Sequence, residues 1–173
     1  MVGGQPGILD IGGAVQAEVL GLRLGAGGIE LTGPCGAAPW YIQVGADDDP
    51  LLLAAAMVSS NLGEPLVIHS TSWRRARGAV VRTFAAALGA DAGERFDSAP
   101  ARRVALARNS ATAPPSSVSA AQVTEHALRH LAWLAADDPV VAARLGRPWA
   151  RALRGYRPEP FRSFVAGEGA PWN

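Results

Sequence analysis

Apolar and polar positions follow a strand-like pattern most clearly between Leu66 and Leu88, where LVIHSTSWRRARGAVVRTFAAAL reads as two β-prone arms around a basic turn. Side chains on a strand point to opposite faces in turn. With the turn over residues 74–78, the spacing sets Trp73 opposite Ala79, Thr71 opposite Val81 and His69 opposite Thr83. Val67, His69, Thr71 and Trp73 then share one face. Leu66, Ile68, Ser70 and Ser72 share the other with Val80, Arg82 and Phe84. Upstream, residues 29–32 and 40–44 read as short strands. Over residues 14–24 the apolar positions Val15, Val19 and Leu22 follow helical spacing, although VLGLRL also alternates. A short helix ending near Gly25 is expected there, with Gly27 and Gly28 in the following turn.

The best-punctuated helix follows Asp47–Asp49. An aspartate N-cap, Pro50 at the first helical position and Gly63 just past the end bound an apolar run. Residues 89–118 form a long connection rich in Pro, Ser and Ala, with an edge strand expected at 104–107. Ser119 caps a helix to about Ala136, whose stripe is Ala120, Val123, Ala127, Leu131 and Leu134. Pro139 starts another helix that Gly146 stops, and Pro148 starts a third ending near Gly155. Glycine-rich residues 1–13 are expected to be flexible, and residues 156–173 form an aromatic-bearing tail.

This order predicts one α+β domain spanning residues 1–173, a two-layer fold with a small antiparallel or mixed sheet covered by helices and a C-terminal helical segment. At 173 residues the chain is long enough to bury a core without disulfides or metals. No apolar run approaches the roughly 20 residues of a membrane-spanning helix, so no membrane association is expected. The single cysteine, Cys35, and the absence of a secretory signal suit a cytoplasmic protein. Net charge is +1, so no global field recruits nucleic acid or membrane. All sixteen basic residues are arginine, which excludes a Schiff-base or P-loop lysine.

Four groups of residues could carry chemistry. His126 and His130 lie four apart on one helix flank beside Trp133, and with His69 or Glu125 as a third ligand they could hold a divalent metal. That reading fails if His69 lies more than about 10 Å from the pair, since zinc ligands sit near 2 Å. Glu125 precedes the first histidine, so the HExxH order is absent. His69 with Thr71 could pair a base with a nucleophile, but His69 and Ser70 face opposite ways and no GxSxG occurs. Arg74, Arg75 and Arg77, with Trp73 and Arg82 nearby, form the most basic patch and could bind phosphate, carboxylate or a stacked base. A solvated hairpin tip explains the same residues. Asp47–Asp49 are accounted for by helix capping.

The segments PWYIQVG, VIHSTSWRR, ATAPPSSVSAAQVTEHALRHLAWLAADDP and GYRPEPFRSF resemble a family of small actinobacterial proteins. The resemblance covers about three quarters of the chain and departs from the family in VVRTFAAAL and the first forty residues. It implies an actinobacterial, cytoplasmic protein and carries over no catalytic residue. The order of elements also looks like that of type III secretion chaperones, at the level of topology alone.

A scaffold without a complete catalytic constellation points first to a non-enzymatic, chaperone-like accessory protein. It would bind an unknown protein partner at Trp73, Arg74, Arg75, Arg77 and Arg82. A small metal-dependent or acid–base enzyme using His69, His126 and His130 is the competing expectation. Binding of a nucleotide, nucleic acid or other phosphate-bearing ligand by the arginine turn is the third. The sequence leaves the oligomeric state open, a homodimer included.

Overall fold

The computed structural model describes residues 14–33, 38–76, 78–92, 96–104, 106 and 118–156. The expectations for residues 1–13, for Cys35, for Arg77 and for the tail after Tyr156 lie outside the described residues.

The chain has the α+β class read from its sequence, and its sheet is mixed. Six strands run in the order β4–β5–β1–β2–β6, with β3 also paired to β1. They are β1 (Val15–Gly25), β2 (Gly28–Thr32), β3 (Trp40–Val44), β4 (Val67–Ala76), β5 (Ala79–Ala87) and β6 (Ser98–Pro100). The helices are α1 (Pro50–Leu62), α2 (Ala120–Asp137) and α3 (Pro139–Leu153).

Residues 14–24 are not a helix. They form β1, the central strand, parallel to β5 and antiparallel to both β2 and β3. Ala17 to Leu22 are buried without a break, because both faces of β1 are covered. A strand buried on both sides shows neither clean alternation nor a helical stripe. The glycines that suggested a helix stop instead turn β1 into β2.

The larger core lies where Leu20, Leu22, Ala85 and Ala87 meet Val123, Ala127 and Leu131 of α2 and Leu145 and Trp149 of α3. On the opposite face, α1 places Ala54, Val58 and Leu62 over Ala17, Val19, Phe84 and Ala86. Gly21 permits that approach: a Cβ there would stand 2.6 Å from the Thr32 carbonyl oxygen and 2.9 Å from Leu62 Cδ1.

Local caps hold the helices in place. Asp49 Oδ1 accepts from the amides of Leu51 and Leu52, and Ser119 with Gln122 closes a capping box on α2. α3 breaks at Gly146, where φ is 70°, so its two halves match the stop and restart read from Gly146 and Pro148. Among the described residues of the long connection the edge strand is at Ser98–Pro100, paired with β2; of the strand read over 104–107, Val104 and Leu106 are irregular and residues 105 and 107 lie outside the described residues. Ala99 lies opposite Leu31, so the ladder to β2 fixed its position, and the sequence does not display that pairing. Beyond it, Arg103 donates to Glu125 and to the Gly155 carbonyl and lies 4.3 Å over the Tyr156 ring, tying this connection to the C-terminal helices.

The hairpin differs from its reading in two ways. It turns more tightly than residues 74–78, because Ala76 pairs directly with Ala79 and Gly78 takes a φ of 79°. Trp73 is therefore opposite Arg82, and His69 is opposite Ala85. A β-bulge at Thr71 then breaks the alternation, since Ser70 pairs with Phe84 while Ser72 pairs with Thr83. One extra residue reverses every side chain beyond it. Val67 and His69 face α2, but Trp73 lies on the α1 face, and Arg74 takes its place toward α2.

Candidate functional site

On the α1 face, the sheet ends in two rows that run across four strands. One is Trp73, Arg82, Ala17 and Ile42; the other is Arg75, Val80, Val15 and Val44. α1 buries Ala17 and packs against Ile42 and Val44. It does not reach the β4–β5 corner, where Trp73 is 71% exposed and Arg75 and Arg82 are exposed with it. Among the described residues, neither arginine has an acidic partner.

Arg74, one bulge-shifted position away, belongs to a different environment. Its guanidinium grips Glu18 through two nitrogens, each 2.7 Å from a carboxylate oxygen, and also donates to Thr83 at 2.9 Å. Tyr41 and Thr83 donate their hydroxyls to the same carboxylate. Glu18 is only 2% exposed. Burial pushes its pKa up, but the hydrogen bonds from Arg74, Thr83 and Tyr41 and the Arg74 charge outweigh it, holding Glu18 below the ordinary carboxylate range. This network floors a groove of about 540 Å³ walled by Val118 and Ala120 at the start of α2. Arg74 is thus placed by the structure as the anchor of the hairpin rather than at its rim.

The three histidines come together. His69 and His130 stack with ring centroids 5.0 Å apart, His126 lies 6.3 Å from His130, and Trp133 meets His130 edge-on at 5.5 Å. His126 Nε2 donates to the Thr71 carbonyl at 3.1 Å, capping the bulge, since a carbonyl oxygen can only accept. Burial, then the charges of His69 and His126, lower the His130 pKa. Glu125 is turned away into ion pairs with Arg103 and Arg129. Among the described residues no group of three or more His, Cys, Asp or Glu side chains is arranged to hold a metal ion.

Glu18, Thr83 and Tyr41 were missed by the sequence reading. The available signal was a lone carboxylate inside the apolar run VQAEVLGLRL: a buried acid requires a cation, and arginine is the only basic residue type here apart from histidine. Among the described residues no helix is long and apolar enough to cross a membrane. No protein-family model matches the chain, and no curated protein matches it.

Proposed function

We propose that this chain is a non-enzymatic accessory protein of the cytoplasm that binds another protein through the distal corner of the β4–β5 hairpin, with Trp73 at the centre of contact. The observation that carries this reading is the placement of Trp73, 71% exposed on a paired strand and flanked by Arg75 and Arg82. Tryptophan and arginine are the side chains most enriched among interface residues that dominate binding energy. A large aromatic left in water on a rigid strand costs little conformational freedom when a partner covers it. Arg74 contributes indirectly, by pinning the hairpin to β1 through Glu18.

The test is affinity capture from the lysate of its own cells, comparing the wild type with a Trp73→Ala, Arg82→Ala double variant shown to be folded by circular dichroism. A reproducible partner lost from the variant supports the reading. The same partners captured by both would contradict it.

The gathering of His69, His126 and His130 supports a second reading, acid–base chemistry at α2, whereas their arrangement among the described residues does not support a metal centre. Elemental analysis of the untagged protein with His130→Ala as control separates the two. A stoichiometric transition metal lost in the variant would contradict that arrangement.

A further inference from the structure

We infer that the partner segment is an extended acidic strand that adds to the outer edge of β4 beyond the Thr71 bulge, with carboxylates over Arg75 and Arg82 and apolar side chains alternating to the other face. This rests on the protein-binding reading above and names the chemistry of its ligand.

Backbone direction supplies the first argument. β4 is the terminal strand of the sheet, so among the described residues its outer side has no strand partner. The Val80 amide donates to the Ala14 carbonyl at 3.0 Å, on the β1 side of β5, so it is not given to Arg75 opposite. In an antiparallel ladder, residues of such a non-bonded pair turn their own N–H and C=O outward. Arg75 and, two positions back, Trp73 thus offer their backbone groups to the free edge. Closer to the core the edge is closed, because the Thr71 carbonyl is already held by His126. The bulge and its histidine therefore mark where an added strand must stop.

Side chains supply the second argument. Residues of an added strand lying opposite Trp73 and Arg75 would share the α1 face with them and with Arg82. Arg75 and Arg82 are exposed cations with no acidic partner among the described residues, so that face selects carboxylates. The alternate residues would point to the α2 face. There, Ser72, Arg74, Leu106, Val118, Val123 and His126 line a cavity of about 270 Å³ beside the β4 edge. Its leucine and valines select apolar side chains. An alternating acidic–apolar strand satisfies both faces and the ladder together, as strand addition requires.

The test uses the full chain with three short synthetic probes: a peptide alternating glutamate and valine, one alternating lysine and valine, and an oligothymidylate. Affinity is read by fluorescence anisotropy, and amide hydrogen exchange locates the contact. We expect the glutamate peptide to bind and to protect the amides of Trp73 and Arg75. Two variants separate backbone from charge. Arg75→Ala removes the guanidinium, whereas Arg75→Pro also removes the outward N–H at an edge position where proline is tolerated.

Proline should weaken binding about tenfold more than alanine does. Equal losses, with no protection at Trp73 and Arg75, would overturn strand addition. Preferential binding of the oligothymidylate would overturn it in favour of a stacked, single-stranded nucleic acid. If Arg75→Pro does not fold, the exchange pattern in the wild-type chain decides. If none of the probes binds, the acidic-strand inference falls. The protein-binding reading then stands or falls separately, on whether lysate capture still depends on Trp73.

Discussion

Strand β4 is two different objects on either side of Thr71. Before the bulge, Val67 and His69 face α2 and α3, inside the larger core or at its margin. After it, Trp73 and Arg75 stand in solvent, and Arg74 turns beneath them to reach Glu18. Had alternation continued unbroken, Trp73 would share the His69 face and Arg74 would point away from Glu18. A single inserted residue thus separates a half packed in the core from a half whose outward side chains are exposed. Because the bulge reassigns their faces, a buried ion-pair anchor and an exposed aromatic and cationic face occupy adjacent residues of one strand.

Removing the anchor should break this division most severely. Arg74→Ala leaves the Glu18 carboxylate buried with only hydroxyl partners, and we expect a loss of about 2–4 kcal/mol in urea unfolding, discounted because Arg74 retains some exposure. Replacing Glu18 and Arg74 together by valine and leucine should cost less than Arg74→Ala alone, since no buried charge is then left unpaired. A double variant worse than the single would mean that the pair does not carry the hairpin.

The bulge cap comes next. His126→Ala removes the donor to the Thr71 carbonyl, and we expect about 1 kcal/mol lost, with faster amide exchange across Ser70 to Ser72. Unchanged exchange there would dissociate His126 from the bulge.

The imidazole cluster adds a smaller, pH-dependent effect. Folding lowers the His130 pKa, so the unfolded chain binds this proton more tightly than the folded one. Its contribution is therefore complete above the ordinary histidine pKa, about 6.5, and declines as pH falls through that value. The wild-type melting temperature should drop between about pH 7.5 and pH 5.5. His130→Phe, which keeps a ring against His69, should flatten that drop, and an unaltered slope would assign it to other groups. Smallest of all, Trp73→Ala should change stability by less than about 0.5 kcal/mol, because the side chain is exposed and its role is outside the core.

Legibility in the sequence followed the range of the interactions. The helix from Pro50 to Leu62 was readable because Asp49, Pro50 and Gly63 act within one turn of it. The gathering of the histidines was half readable: the spacing of His126 and His130 is local, whereas the approach of His69 depends on how β4 lies under α2. β1 was misread because a central strand lacks the one-sided pattern that periodicity detects. The Glu18–Arg74 pair spans 56 positions and required both β1 and the bulge to be known. A bulge has no marker in HSTSWRR itself. It is set by the pairing with β5 and by a histidine on a helix 55 positions away.

The most direct measurement is site-specific photo-crosslinking in the cells that make the protein. A photoreactive phenylalanine analogue is placed in turn at Trp73 and Arg75, and at His69 and Trp133 as controls. Position 73 retains an aromatic ring, position 69 lies before the bulge, and position 133 is half exposed on a separate surface. Adducts to a common partner from positions 73 and 75, absent from 69 and 133, are the expected result. Adducts of equal yield at all four positions, or none at 73 and 75, would contradict the assignment of the distal half of β4 to binding.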